Sequence, residues 1–113
     1  MLITLRREQV AVLEQYMLGR FEDLAVRHAS RIFPAKAREL GAEGVRTLAK
    51  QAIKKARRWG VTQEQDILLF LDLMLGIAPD FDETTPWARE ILEYQEISGN
   101  ERMRRLYGRL EHG

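Results

Sequence analysis

Asp80 and Asp82, one residue apart in the stretch GIAPDFDETTPW, are the residues of this 113-residue chain whose type and spacing first suggest chemistry. Such a pair serves three purposes: oxygen coordination of a hard cation, acid/base catalysis by carboxylates with separated pKa values, and capping of turn amides. A calcium loop of the EF-hand kind needs oxygens at positions 1, 3 and 5, glycine at 6 and a bidentate acid at 12. Counted from Asp80, those places hold Asp80, Asp82, Thr84, Thr85 and Ile91, so the glycine and the final acid are both missing. Acid/base work further requires a pocket and a positioned substrate, which spacing does not disclose. Turn and cap formation, or an acidic lip for a partner, is the expected role, with no metal and no cofactor.

The other reactive types are scattered. His28 falls on the inner stripe of the first helix and His112 in the C-terminal tail, without an HExxH pattern, so His28 is expected to be a hydrogen-bonded core residue. Ser30 and Ser98 lack a GxSxG setting, no glycine-rich phosphate loop occurs, and the absence of cysteine removes thiolate nucleophiles, disulfides and cysteine-based metal sites. Asp72 interrupts an apolar run, where an unpaired carboxylate is costly. It should therefore point to an edge or meet an arginine or a helix N-terminus. No catalytic residue is assigned, and a non-enzymatic role is expected.

The elements that must position these groups read as helices, because apolar residues recur every three or four places and period-2 alternation is missing. The first helix is expected over about 5–32, with Thr4 as N-cap and Pro34 beyond its end. Its stripe would be Val10, Leu13, Met17, Phe21, Leu24, His28 and Ile32. Val12, Tyr16 and Leu18 lie partly outside that stripe; two flanking neighbours are the expected reason, with a partner-binding face as the alternative. A short turn near 35–40 should stop at Gly41. A helix over about 43–59 follows, with Val45, Leu48, Ala49, Ala52, Ile53, Ala56 and Trp59 inward, Arg46, Lys50, Lys54 and Arg57 outward, and Gly60 as its left-handed cap.

Thr62-Gln63-Glu64-Gln65 has the form of a capping box and opens a central helix over about 63–77 that is apolar almost all round. Thr85 and Pro86 should start a fifth helix over about 86–96, with Trp87, Ile91, Leu92 and Tyr94 toward the core. Ser98-Gly99-Asn100-Glu101 is a second box, before a last helix with Met103, Leu106, Tyr107 and Leu110 on one side and Arg102, Arg105 and Arg109 on the other. The fold class is all-α: a compact bundle of about five to six helices forming one domain over 1–113.

Lys plus Arg and Asp plus Glu nearly balance, yet the charges are segregated. Residues 42–59 carry about +5 and residues 60–97 about −8 by formal charge. Such polarity favours oriented docking over generic affinity for polyanions. The basic helix, the turn WGVTQ and the next helix superficially match a helix-turn-helix, but the recognition helix would be DILLFLDLML, which offers bases almost no polar side chain and offers phosphates carboxylates. The N-terminus lacks the pattern of a secretory signal and no apolar run is long enough for a membrane span, so a soluble, cytoplasmic protein is expected.

The run RFEDLAVRHASRIFPAKARELGAEGVR, then GVTQEQDILLFLDLMLGIAPDFDETTPWAREIL, and MRRLYGRL resembles a family of small helical proteins encoded among bacterial type VI secretion spike, adaptor and effector genes. The similarity covers most of the chain. It is carried by RF, FP, the turn WGVT, the DLM of the central helix, DFD and PWA, with Trp59 where the family more often has tyrosine. It implies an accessory role without catalytic residues: binding an adaptor, effector or spike component. The expected contacts are Tyr16 on the outer side of the first helix and Asp80, Asp82, Glu83, Glu90 and Glu93 in the acidic segment. Homo-oligomerisation stays open. The alternatives are an immunity protein that neutralises a neighbouring toxin and, less favoured, a nucleic-acid-binding helical domain.

Overall fold

A charge-poor apolar segment, long basic and acidic amphipathic segments, and glycines at the punctuation points build six helices among the described residues. The computed structural model describes residues 7–112, the side chain at 112 excepted: α1 Arg7–Ile32, α2 Pro34–Arg58, α3 Glu64–Gly76, α4 Phe81–Thr84, α5 Pro86–Glu93 and α6 Gly99–His112. The chain is an all-α helical bundle, with no strand among the described residues. Thr4, expected as an N-cap, and the side chain of His112 lie outside what is described. No described helix is long and apolar enough to cross a membrane.

The near-uniform apolarity of α3 explains its central place. Ile67, Phe70, Leu71, Leu73, Met74 and Leu75 are all buried, against α1, α2 and α6. The Tyr107 hydroxyl of α6 donates to the Leu69 carbonyl at 2.8 Å, which ties the last helix to the middle of α3. α2 contributes the small residues Ala49, Ala52 and Ala56 with Val45 and Leu48, so its backbone lies close to the core.

Three glycines set the path. Gly41 breaks α2 with φ 73° and ψ 168°, where the expected short helix was to stop, and the chain then resumes as a helix in a new direction. Gly60 has φ 76°; its N–H donates to Arg57 and that of Val61 to Ala56, the paired bonds of a Schellman ending, while Val61 is fully buried. Gly99 abuts this turn so closely that a Cβ there would lie 2.1 Å from the Gly60 carbonyl oxygen.

Several expectations need correction. The capping box at 62–65 is not made: Gln63 is the N-cap of α3 and no side chain caps it. The Schellman turn commits the chain through Val61, and the helix begins one residue later than Thr62 would require. Thr85 also caps without a side-chain bond, and α5 ends at Glu93 rather than 96. The second box is half formed, with the Glu101 amide donating to Ser98 Oγ at 3.2 Å.

Arg102 is not on the outer side. It donates through Nε and Nη2 to the Tyr94 carbonyl at 3.2 and 2.9 Å, and through Nη1 to the Trp59 carbonyl. One guanidinium thereby satisfies carbonyls at the C-terminal ends of α2 and α5, where the helix dipoles favour a cation.

The stripe of α1 is only half right. Phe21 is buried as expected, but the tight contacts come from Ala25 and Ala29, while Val10, Leu13, Met17 and Ile32 are exposed by 36, 46, 58 and 45%. Arg46 and Lys50 reach Glu22, with Arg46 also 2.7 Å from Asp23, and beyond them the two helices part. The N-terminal half of α1 therefore lacks a close second neighbour among the described residues. The Cα radius of gyration, 15.4 Å, exceeds the ~13 Å of a rounded chain this long, as a projecting helix requires.

Candidate functional site

The DFD segment is an internal clamp. Phe81 is fully buried with its ring centroid 4.9 Å from that of Phe70. Its helical turn aims the next side chain, Asp82, back at α2. There Lys55 Nζ donates to Oδ1 at 3.1 Å and Trp59 Nε1 to Oδ2 at 3.4 Å. Lys55 also donates to the Pro79 carbonyl at 3.2 Å, so one ammonium secures both ends of the turn.

Asp82 has no exposed surface, and its assignment as a partner contact is thus corrected. It does not cap its own backbone either. Asp80 is exposed, and Thr84 Oγ1 donates to its carbonyl at 3.1 Å and its carboxylate at 3.3 Å. The remaining acids sit at the surface with uneven engagement. Glu83 lies 3.8 Å from Arg58 and Glu93 accepts from Arg89 at 2.8 Å, whereas Glu90 makes no ion pair among the described residues.

The second polar pair in the core is His28 with Asp72, Nε2 to Oδ1 at 2.7 Å. The partner expected for Asp72 was an arginine or a helix N-terminus, and a histidine takes that place. Burial raises the Asp72 carboxyl above the ordinary carboxylate range against the opposing pull of His28 and Arg31. Burial, with help from Asp72, also raises Tyr107, whose hydroxyl stays protonated as a donor. No hydroxyl hydrogen-bonds to His28 among the described residues, and no group of three His, Asp or Glu converges there as metal ligands would. The pair can hold α1 to α3.

The open surface lies elsewhere. On the projecting half of α1, Val12, Leu13, Tyr16 and Met17 are exposed by 70, 46, 63 and 58%, and at about 100° per residue they share one side of the helix. Adjoining that face, with Met17 on its rim, an open groove of about 770 Å³ runs where α1 and α2 part. Its floor includes Leu18 and Phe21 of α1, Ile53 of α2 and Ile67 of α3. One bank is the row Lys50, Lys54 and Arg57 of α2, and the facing side holds Glu14 of α1 and Glu64 at the start of α3.

Tyr16 is therefore well placed for contact. It belongs to the apolar side of α1, on a different element from the surface acids Asp80, Glu83, Glu90 and Glu93. The groove was missed by sequence reasoning, although its basic row was visible as Lys50, Lys54 and Arg57 at helical spacing. What turns that row into one wall of a site is the divergence of α1 from α2. No family model matches the chain, and no curated protein or solved structure is found to be similar to it.

Proposed function

We propose that the chain is a non-enzymatic, cytoplasmic accessory protein of a type VI secretion system that binds an adaptor, effector or spike component. The setting rests on the sequence resemblance. Binding rests on one observation, the projecting half of α1 with Val12, Leu13, Tyr16 and Met17 in solvent. A neighbouring run of large apolar side chains left uncovered on a helix is what a protein-docking surface requires, and Tyr and Met are the types enriched at such surfaces. The polarised charge of the chain would orient the encounter, setting association rate and register more than affinity.

Co-expression with each protein encoded beside a spike or adaptor gene tests this directly. A stable complex with one of them is expected, lost in a Leu13→Asp, Tyr16→Asp double variant, together with reduced effector delivery when the gene is deleted. Rescue of cells from a neighbouring toxin with delivery unchanged would instead make the chain an immunity protein.

A further inference from the structure

We propose that the groove between α1 and α2 binds an amphipathic helix of the partner protein, about two turns deep, whose apolar stripe is bordered by acidic residues on the flank that meets α2. This deepens the protein-binding reading above and rests on it for the identity of the natural partner. Size comes first. A helix about 10 Å across rising about 5.4 Å per turn fills roughly 420 Å³ per turn, so the groove volume of about 770 Å³ takes slightly under two turns. The basic row of α2 runs from Lys50 to Arg57, a rise of about 10.5 Å along the axis, which is again about two turns.

Chemistry then selects the occupant. The floor is aliphatic and aromatic, with Phe21 and Ile67 buried beneath it, and suits an apolar stripe better than a polar ligand. Of the row, Lys50 lies 3.9 Å from Glu22, but Lys54 and Arg57 are exposed and make no ion pair among the described residues. Two uncommitted cations on one bank and acids on the other match a helix with carboxylates on a single flank. That asymmetry also fixes the direction in which the helix lies. The same acids, Glu14 and Glu64, repel the phosphates of a nucleic acid, which would otherwise suit the basic row.

The test uses two fluorescent synthetic helices of about 18 residues with one leucine stripe, bordered on one flank by glutamate or by lysine, measured by anisotropy at about 50 and about 300 mM salt. The acidic helix should bind at least tenfold more tightly than the basic one, weaken with salt, and lose its advantage on the Lys54→Glu, Arg57→Glu variant. Both positions are exposed, and an unchanged thermal melt verifies that the variant is folded. Equal binding of the two helices, indifference to the substitutions, tighter binding of a 20-nucleotide oligomer, or a wild-type dimer that the substitutions dissociate would each overturn the proposal. Retention of the secretion partner by the variant sinks the groove and leaves the accessory function standing. Binding of the acidic helix with no complex among spike, adaptor and effector proteins does the reverse.

Discussion

Asp80 and Asp82 look alike in sequence and have opposite fates. Asp82 is fully buried against Lys55 and Trp59, so removing it strands a half-buried ammonium and an indole N–H. Asp82→Ala should cost about 3 kcal/mol of stability, seen as a lower urea midpoint at unchanged slope, whereas Asp80→Ala should stay within about 0.5 kcal/mol. Asp72 makes a different prediction, because its carboxyl is raised by burial. A carboxyl with a higher pKa in the fold than in the unfolded chain contributes stability fully below its ordinary value of about 4, and that contribution is lost as pH rises through the raised value. Asp72→Asn removes this titration while keeping an acceptor for His28. Unfolding measured across that interval should show wild type losing ground to the variant as pH rises. A wild type that gains ground would mean that His28 outweighs burial.

At the scale of elements, helical periodicity was enough to find α3 as the centre, the break at Gly41 and the left-handed Gly60, since each depends on residues close in sequence. The contacts that decide the C-terminal third were not legible, because they join positions far apart. Gly99 reads locally as part of a capping box, yet its real constraint is the Gly60 carbonyl pressed against it from the α2–α3 turn. Arg102 reads as a solvated charge on an amphipathic helix, yet it bonds carbonyls of Trp59 and Tyr94. Gly99→Ala meets backbone rather than a movable side chain, so α6 must shift as a unit, and a loss of at least about 3 kcal/mol is expected in thermal or urea unfolding. Arg102→Lys keeps the charge but cannot span both helix ends with a planar fork; it should lose about 1–2 kcal/mol, with Arg102→Met losing more.

The whole molecule divides along α1. One half, carrying Phe21, Ala25, Ala29 and the His28–Asp72 bond, belongs to the core, and the other half carries exposed Val12, Leu13, Tyr16 and Met17. The candidate surface was legible in part for the same reason: surplus apolar residues were visible along α1, but which of them a neighbour covers is decided by contacts between positions far apart in sequence. A helical segment of under about 15 residues holds together poorly without tertiary packing, so stability should fall steeply along α1 toward its N-terminus. Amide hydrogen exchange should then show rapid exchange at residues 11–16 and protection approaching that of global unfolding at residues 25–30. A partner bound to the projecting half should slow exchange at 11–16 by at least about tenfold while leaving 25–30 nearly unchanged, since those amides already open only when the bundle unfolds. Uniform protection along the free helix would mean that the projecting half is held as firmly as the core, and the exposed apolar side would then not mark the part of the fold that waits for a partner.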